Sequence, residues 1–156
     1  MTQRFILDEN VVICAQLGQN ERGEKDSTCL ELVTRIIRIC HTIVADDNLW
    51  SKYFSQLNRP RHNDPSLGFR LLRVLREASQ REGKVDIRQN NAVPFPEETS
   101  IPAGSQDDVP IVRLAVETSG TLVTTDVPLR NELNACGVQE IYNLQIVSPA
   151  EALHQL

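Results

Sequence analysis

Three aspartates, Asp8, Asp108 and Asp126, stand where a carboxylate can do chemistry as well as face solvent. Asp8 closes the apolar run Phe5–Ile6–Leu7, Asp126 closes the run Thr121–Thr125, and Asp108 follows Asp107 at the start of a helical apolar pattern. In open α/β sheets ligands collect at the carboxyl ends of the strands, beside the point where strand order reverses. If the strands ending at Asp8 and Asp126 are neighbours, all three carboxylates converge on one pocket. Two carboxylates about 4–5 Å apart repel by roughly 3–4 kcal/mol at an effective dielectric near 20. A helix N-terminus returns only about 0.3–1 kcal/mol to Asp108. The remainder must come from protons, cationic side chains or a metal, and hard oxygen donors without cysteine or histidine select Mg²⁺ or Mn²⁺ over zinc. Each aspartate also has a plainer use. Asp107 or Asp108 can cap a helix, Asp126 can cap the helix entered through Pro128, and Asp8 can open a turn.

Positioning these residues requires strands that alternate with helices, and the chain is patterned that way. Phe5–Leu7 continues almost at once into Val11–Ile13, which suits a strand buried on both faces that runs into a loop or short helix. Residues 18–27 form a polar connection, and Ser27 or Thr28 caps a helix to about Cys40 with Leu30, Val33, Ile37 and Cys40 at helical spacing. Thr42–Ala45 reads as a second strand, Asp47 as the cap of a helix through Leu57, and residues 58–65 as its breaker. A third helix is expected from Ser66, with Leu67, Leu71, Val74, Leu75 and Ala78 on one face, to Arg81. Val85–Ile87 suits a short strand, and residues 89–106 a long irregular loop. A helix opened by Asp107 and Asp108 ends near Gly120, a strand runs from Thr121 to Thr125, and a helix from Pro128 stops at Gly137. A last strand from Ile141 to Val147 precedes a short helix. With right-handed crossovers this order predicts one three-layer α/β/α domain over residues 1–156, with a mainly parallel central sheet of about five strands.

Composition narrows the function classes. A hydrophobic fraction of 40% and a charged fraction of 24% fit a folded globular chain. Aromatic residues, at 4%, are too few for a base-stacking platform, and a net charge of −5 argues against coating nucleic acid through the overall field. No apolar stretch is long enough for a membrane span and the start MTQRF lacks a signal-peptide core, so a cytoplasmic protein is expected. The cysteines at 14, 29, 40 and 136 show no CxxC pairing, and His41, His62 and His154 show no ligand spacing. Free thiols and structural histidines are therefore expected.

The acidic pattern resembles the PIN-domain ribonucleases. LDEN at 7–10 is similar to the family's opening, an Asp followed two positions later by Asn. DDVPIVRLAVETSG at 107–120 resembles its acidic helix start, with Asp108 seven residues before Ala115. LVTTD at 122–126 resembles the strand ending Thr-x-Asp, and IVSPAEAL the closing strand and helix. The resemblance implies a parallel-sheet fold that hydrolyses RNA with Mg²⁺ or Mn²⁺. Asp8, Asp108 and Asp126 would be the ligands and catalytic acids, supported by Asn10, Thr124 and Asp107. The metal would activate water for in-line attack on phosphorus. The family places a Glu just before a tyrosine in the helix after the second strand; DDNLWSKY puts Lys52 there, with Asp46, Asp47 and Glu31 as the nearby carboxylates that could replace it. The expected activity is therefore ribonuclease, and the alternative is a PIN-like module that binds RNA or a protein partner without cutting. The family also admits a homodimer and a protein inhibitor, as in toxin–antitoxin pairs, and no residue selects among these.

RNA needs a basic face beside such a pocket. Between Arg59 and Arg88 eight Lys or Arg stand against four Asp or Glu, a local excess of +4 (8 − 4). Arg59, Arg61, Arg70 and Arg73 are the candidate phosphate contacts; Arg stems covering apolar surface are the alternative. A nucleotide-binding domain is disfavoured by the lack of a glycine-rich phosphate loop.

Overall fold

Residues 1–62, 64, 70–89 and 93–156 are described by a computed structural model of the chain. The strands are β1 (Arg4–Leu7), β2 (Thr42–Asp46), β3 (Val85–Arg88), β4 (Thr121–Val123) and β5 (Ile146–Val147). The helices are α1 (Glu9–Leu17), α2 (Thr28–Arg38), α3 (Asp47–Leu57), α4 (Leu71–Ser79), α5 (Val109–Thr118), α6 (Val127–Ala135), α7 (Val138–Ile141) and α8 (Pro149–His154). All five strands are parallel, in the order β3-β2-β1-β4-β5. Connections run outward from β1 in both directions, so right-handed crossovers put α1–α4 on one face and α5–α7 on the other. The helix contacts agree: α1 packs on α2 and α3, and α3 on α4, whereas α5 lies on β1 and β4. This is the expected three-layer α/β/α architecture. Among the described residues no helix is long and apolar enough to cross a membrane.

The centre of the sheet explains the unbroken apolar run at the start of the chain. β1 is covered on both faces, and Phe5, Ile6 and Leu7 are fully buried. Its partner β4 is preceded by Gly120, where any Cβ would run into the Ile6 side chain and crowd the Arg4 carbonyl. The glycine thus lets the chain leave α5 and enter the sheet directly beside β1. The resulting register sets Phe5 against Thr121 and Leu7 against Val123. One residue further, Asp8 is level with Thr124.

Several boundaries differ from expectation. Val11–Ile13 belong to helix α1, since Asp8 ends the strand. Asp46, one residue before the expected Asp47, caps α3 by accepting from the Leu49 amide at 2.7 Å. Cys40 lies beyond α2 and is exposed. The expected long final strand shortens to Ile146–Val147: Gly137, at φ 81°, starts the short α7, and Asn143, at φ 48°, turns the chain again before the sheet. The irregular loop holds two 3₁₀ turns, Pro96–Ser100 and Ala103–Asp108, pinned by buried Phe95 and Ile101 and by the Arg113–Glu98 ion pair. The breaker residues Asn63 and Pro65, the helix start at Ser66 with Leu67, and loop residues 90–92 lie outside the described residues.

Candidate functional site

Strand order reverses between β2-β1 and β1-β4, so the topological switch point sits at the carboxyl end of β1. The sheet register lines up a row of polar side chains there. Arg88 pairs with Asp46 across β3 and β2, the β1–β2 offset brings Asp46 level with Asp8, and Thr124 stands on the other side. The N-termini of α1, α3, α5, α6 and α8 end at the same edge, because each helix runs back against the strands. Their positive ends favour carboxylates in this region.

How each carboxylate is used separates a capping role from a free one. Asp46 accepts the Leu49 amide at 2.7 Å and Asp126 accepts the Leu129 amide at 2.9 Å, so both are working helix caps. Asp8 and Asp108 also occupy cap positions, yet neither side chain takes a cap hydrogen bond. Asp8 is 6% exposed, and its Oδ2 accepts the Thr124 hydroxyl at 2.7 Å. That hydroxyl in turn accepts the Asp126 amide at 3.0 Å, so one buried threonine ties Asp8 to the Asp126 turn. Burial pushes the Asp8 pKa up, partly offset by the Thr124 hydrogen bond. Asp108 is pushed up to about 6, first by burial, then by the charges of Asp8 and Asp126, with Lys52 acting the other way and Asp107 adding to the rise. The three aspartates and Lys52 are therefore within electrostatic reach of one another.

A cleft of about 460 Å³ opens between α3 and the start of α5, lined by Asp8, Glu9, Asp46, Lys52, Asp107 and Asp108 among others. Asp126 and Thr124 lie behind Asp8 rather than in the lining. Asn10 is exposed in the first turn of α1; its backbone amide acts on the Asp8 carboxylate, while its side chain makes no hydrogen bond among the described residues. Of the carboxylates that could replace the missing Glu, Asp46 lines the cleft and Asp47 and Glu31 do not. Among the described residues no three His, Cys, Asp or Glu side chains are gathered closely enough to hold a metal ion as they stand.

Two members of the site escaped the sequence reading. Glu9 follows Asp8 directly, and in a continued strand its side chain would point to the opposite face. Because α1 starts at Glu9, it instead turns into the cleft, where Oε2 is buried without a hydrogen bond and lies 3.8 Å from the Lys52 ammonium. Tyr53, fully buried, lies beneath the end of β1: its hydroxyl donates to the Leu7 carbonyl, and burial with the charges of Asp8, Asp46 and Glu9 keeps it protonated. The signal for it is the tyrosine that closes DDNLWSKY, two turns after the capping Asp46.

The basic face is more dispersed than its charge count suggests. Arg59 and Arg61 are exposed, Arg73 is paired with Glu77 at 2.9 Å, and Arg70 donates to the Asp64 carbonyl at 2.7 Å. Arg76 lies over the Phe54 ring, 5.2 Å from its centroid, which is the stem-covering role. His41 accepts the Gln3 amide and His62 contacts the Gln56 carbonyl, both structural uses. The chain fits none of the models of known protein families, and no curated protein matches it.

Proposed function

We propose that the cleft at the carboxyl end of β1 holds a divalent cation and hydrolyses phosphodiester bonds in RNA, as the resemblance to PIN-domain ribonucleases implies. The observation that carries this reading is the placement of Asp8 and Asp108. Both sit at helix starts; Asp108 makes no cap hydrogen bond, Asp8 is held by Thr124 and by the first amides of α1, and they share a pocket with further carboxylates. The charges of Asp8 and Asp126 raise the Asp108 pKa, a cost that no cap hydrogen bond at Asp108 offsets. The donor set is all hard oxygen, and Glu9 Oε2 is a buried acceptor without a hydrogen bond, which fits Mg²⁺ or Mn²⁺. When bound, such an ion supplies charge neutralisation at phosphoryl oxygens and makes water more acidic.

The chain's own residues would divide the work. Asp8 and Asp108 would be the principal ligands, with Glu9 or Asp46 closing the set in place of the missing family Glu. Thr124 would hold Asp8 in one orientation, while Asp126 would fix the turn behind it and add to the local negative field. With Asp108 titrating at about 6, a proton and a cation compete for that carboxylate. Cation binding would therefore strengthen as pH rises through that value. Arg59 and Arg61 would meet the RNA backbone.

One observation favours a second reading, binding without cleavage. Lys52 already brings a cation into the cleft and pairs loosely with Glu9. A thermal-unfolding titration with Mg²⁺ and Mn²⁺, run beside a cleavage assay on mixed RNA, separates the two. Hydrolysis that needs the cation and stops with chelator supports the first, and cation at about 100 times its Kd should add roughly 2.7 kcal/mol of stability. Stabilisation without cleavage selects the second reading. No cleavage together with no binding of RNA or of a protein partner sinks both.

A further inference from the structure

A smaller cleft, of about 300 Å³, opens where the 18–27 connection meets the turn after β4 and the start of α8, and it is lined by two sulfurs. Cys14 comes from the middle of α1 and Cys29 from the first turn of α2, and these two helices pack on each other. They are 6% and 7% exposed, so each is sheltered but reachable through the opening. The remaining cysteines, Cys40 and Cys136, do not line this cleft. Cys14 and Cys29 thus face one cleft from two packed helices, close enough for the two thiols to act on each other's titration. This proximity lowers the Cys14 pKa against burial and the charges of Glu21 and Asp26. The same proximity, with burial, raises Cys29. The pair therefore loses its first proton more easily than its second, with the negative charge favoured on Cys14.

We propose that Cys14 and Cys29 form a dithiol exchange site that reacts with small-molecule disulfides and closes reversibly into an intramolecular disulfide between α1 and α2. The Cys14 thiolate attacks one sulfur of the small disulfide, whose other half leaves as a thiolate. Cys29 then gives up its proton and attacks the Cys14 sulfur, and the second half leaves. Two protein thiols are oxidised, and one external disulfide is reduced to two thiols. The ring so closed contains the 18–27 connection, in which Glu21 accepts a hydrogen bond from Thr125. Oxidation thereby acts on the segment that braces the turn between Thr124 and Asp126, although the exchange chemistry itself does not depend on any metal in the acidic cleft.

The test uses the folded, reduced protein with Cys40→Ser and Cys136→Ser, run beside wild type and incubated with oxidised glutathione. Peptide mapping should find Cys14 joined to Cys29 in both proteins, with the intact mass of the variant lower by two hydrogens and restored by dithiothreitol. Adding Cys29→Ser should stop the reaction at a glutathione adduct on Cys14. Adding Cys14→Ser should slow modification of Cys29 by at least about tenfold. A stable adduct without crosslink while Cys29 is present overturns the proposal, as does a crosslink that forms only in denaturant.

Discussion

The two ends of the same five strands carry opposite chemistry. At the amino ends lies the larger hollow, about 1050 Å³, lined by Arg4, Thr42, Asp86, Thr118 and Thr121 among others. Its polar groups are answered nearby: Arg4 donates to the Thr118 carbonyl, Thr42 to the Gly83 carbonyl, and Asp86 pairs with Arg88 at 3.1 Å. Gln3 Oε1, a buried acceptor there without a hydrogen bond among the described residues, belongs to a neutral amide. The carboxyl-end cleft has less than half that volume, yet it gathers five carboxylates (Asp8, Glu9, Asp46, Asp107, Asp108) around one lysine. The difference follows from direction. In a parallel sheet every strand delivers its carboxyl end, and the helix start after it, to one edge, so amide donors and positive dipoles concentrate there. Room alone does not identify a site; unanswered charge does.

The largest test of this contrast is a matched pair of isosteric changes, one at each end. Asp8→Asn keeps an acceptor for Thr124 but removes the charge, and should lower cation-dependent RNA hydrolysis by roughly 100-fold or more. Asp86→Asn at the amino end should alter the rate by no more than about twofold. Equal losses would dissolve the distinction between the ends.

A smaller effect should appear in stability, with a sign that only a strained acid gives. The pKa of Asp108 rises from 3.8 to about 6 on folding, so the folded chain binds that proton more tightly than the unfolded chain. Stability should fall as pH rises from about 4 to about 6 and stay lowered above it. Asp108→Asn sacrifices no cap hydrogen bond, because none is made. It should therefore stabilise the protein at pH 7 by roughly 1–2 kcal/mol, discounted for partial exposure, and leave it unchanged near pH 4. Denaturant titrations at the two pH values check this; equal stability at pH 7 would mean Asp108 is relaxed.

The smallest change concerns Lys52, which is 59% exposed and screened by water. Lys52→Met should raise the Asp108 titration midpoint, since the ammonium now holds it down. It should tighten Mn²⁺ binding by about two- to fivefold at low salt and less at high salt. Carboxyl NMR and calorimetry read the two effects.

Much of this was legible in the residues. Doubly buried strands such as Phe5–Leu7 advertise themselves, and aspartates that close them mark the edge where they meet. What could not be read was geometry that depends on one residue of phase. Whether Glu9 begins a helix or continues a strand decides which side of the sheet it faces. Gly137 and Asn143 cut the apolar stretch at 141–147 with left-handed backbone, which hydrophobic pattern does not encode. Likewise the cap at Asp46 rather than Asp47 depends on where β2 stops. The pattern offered both Asp126 and Asp108 as possible caps; that Asp126 takes the role and the Asp108 side chain does not depends on where the amides lie.

The hydrogen bond between Thr124 and Asp8 spans 116 residues of chain. Asp8 is therefore made 116 residues before its clamp. At roughly 5–20 residues per second, Asp8 waits on the order of ten seconds before β4 arrives to seat beside β1. Until then the central strand lacks one neighbour and the cluster lacks its brace. The pocket is completed only once β4 has been made and has joined the sheet beside β1.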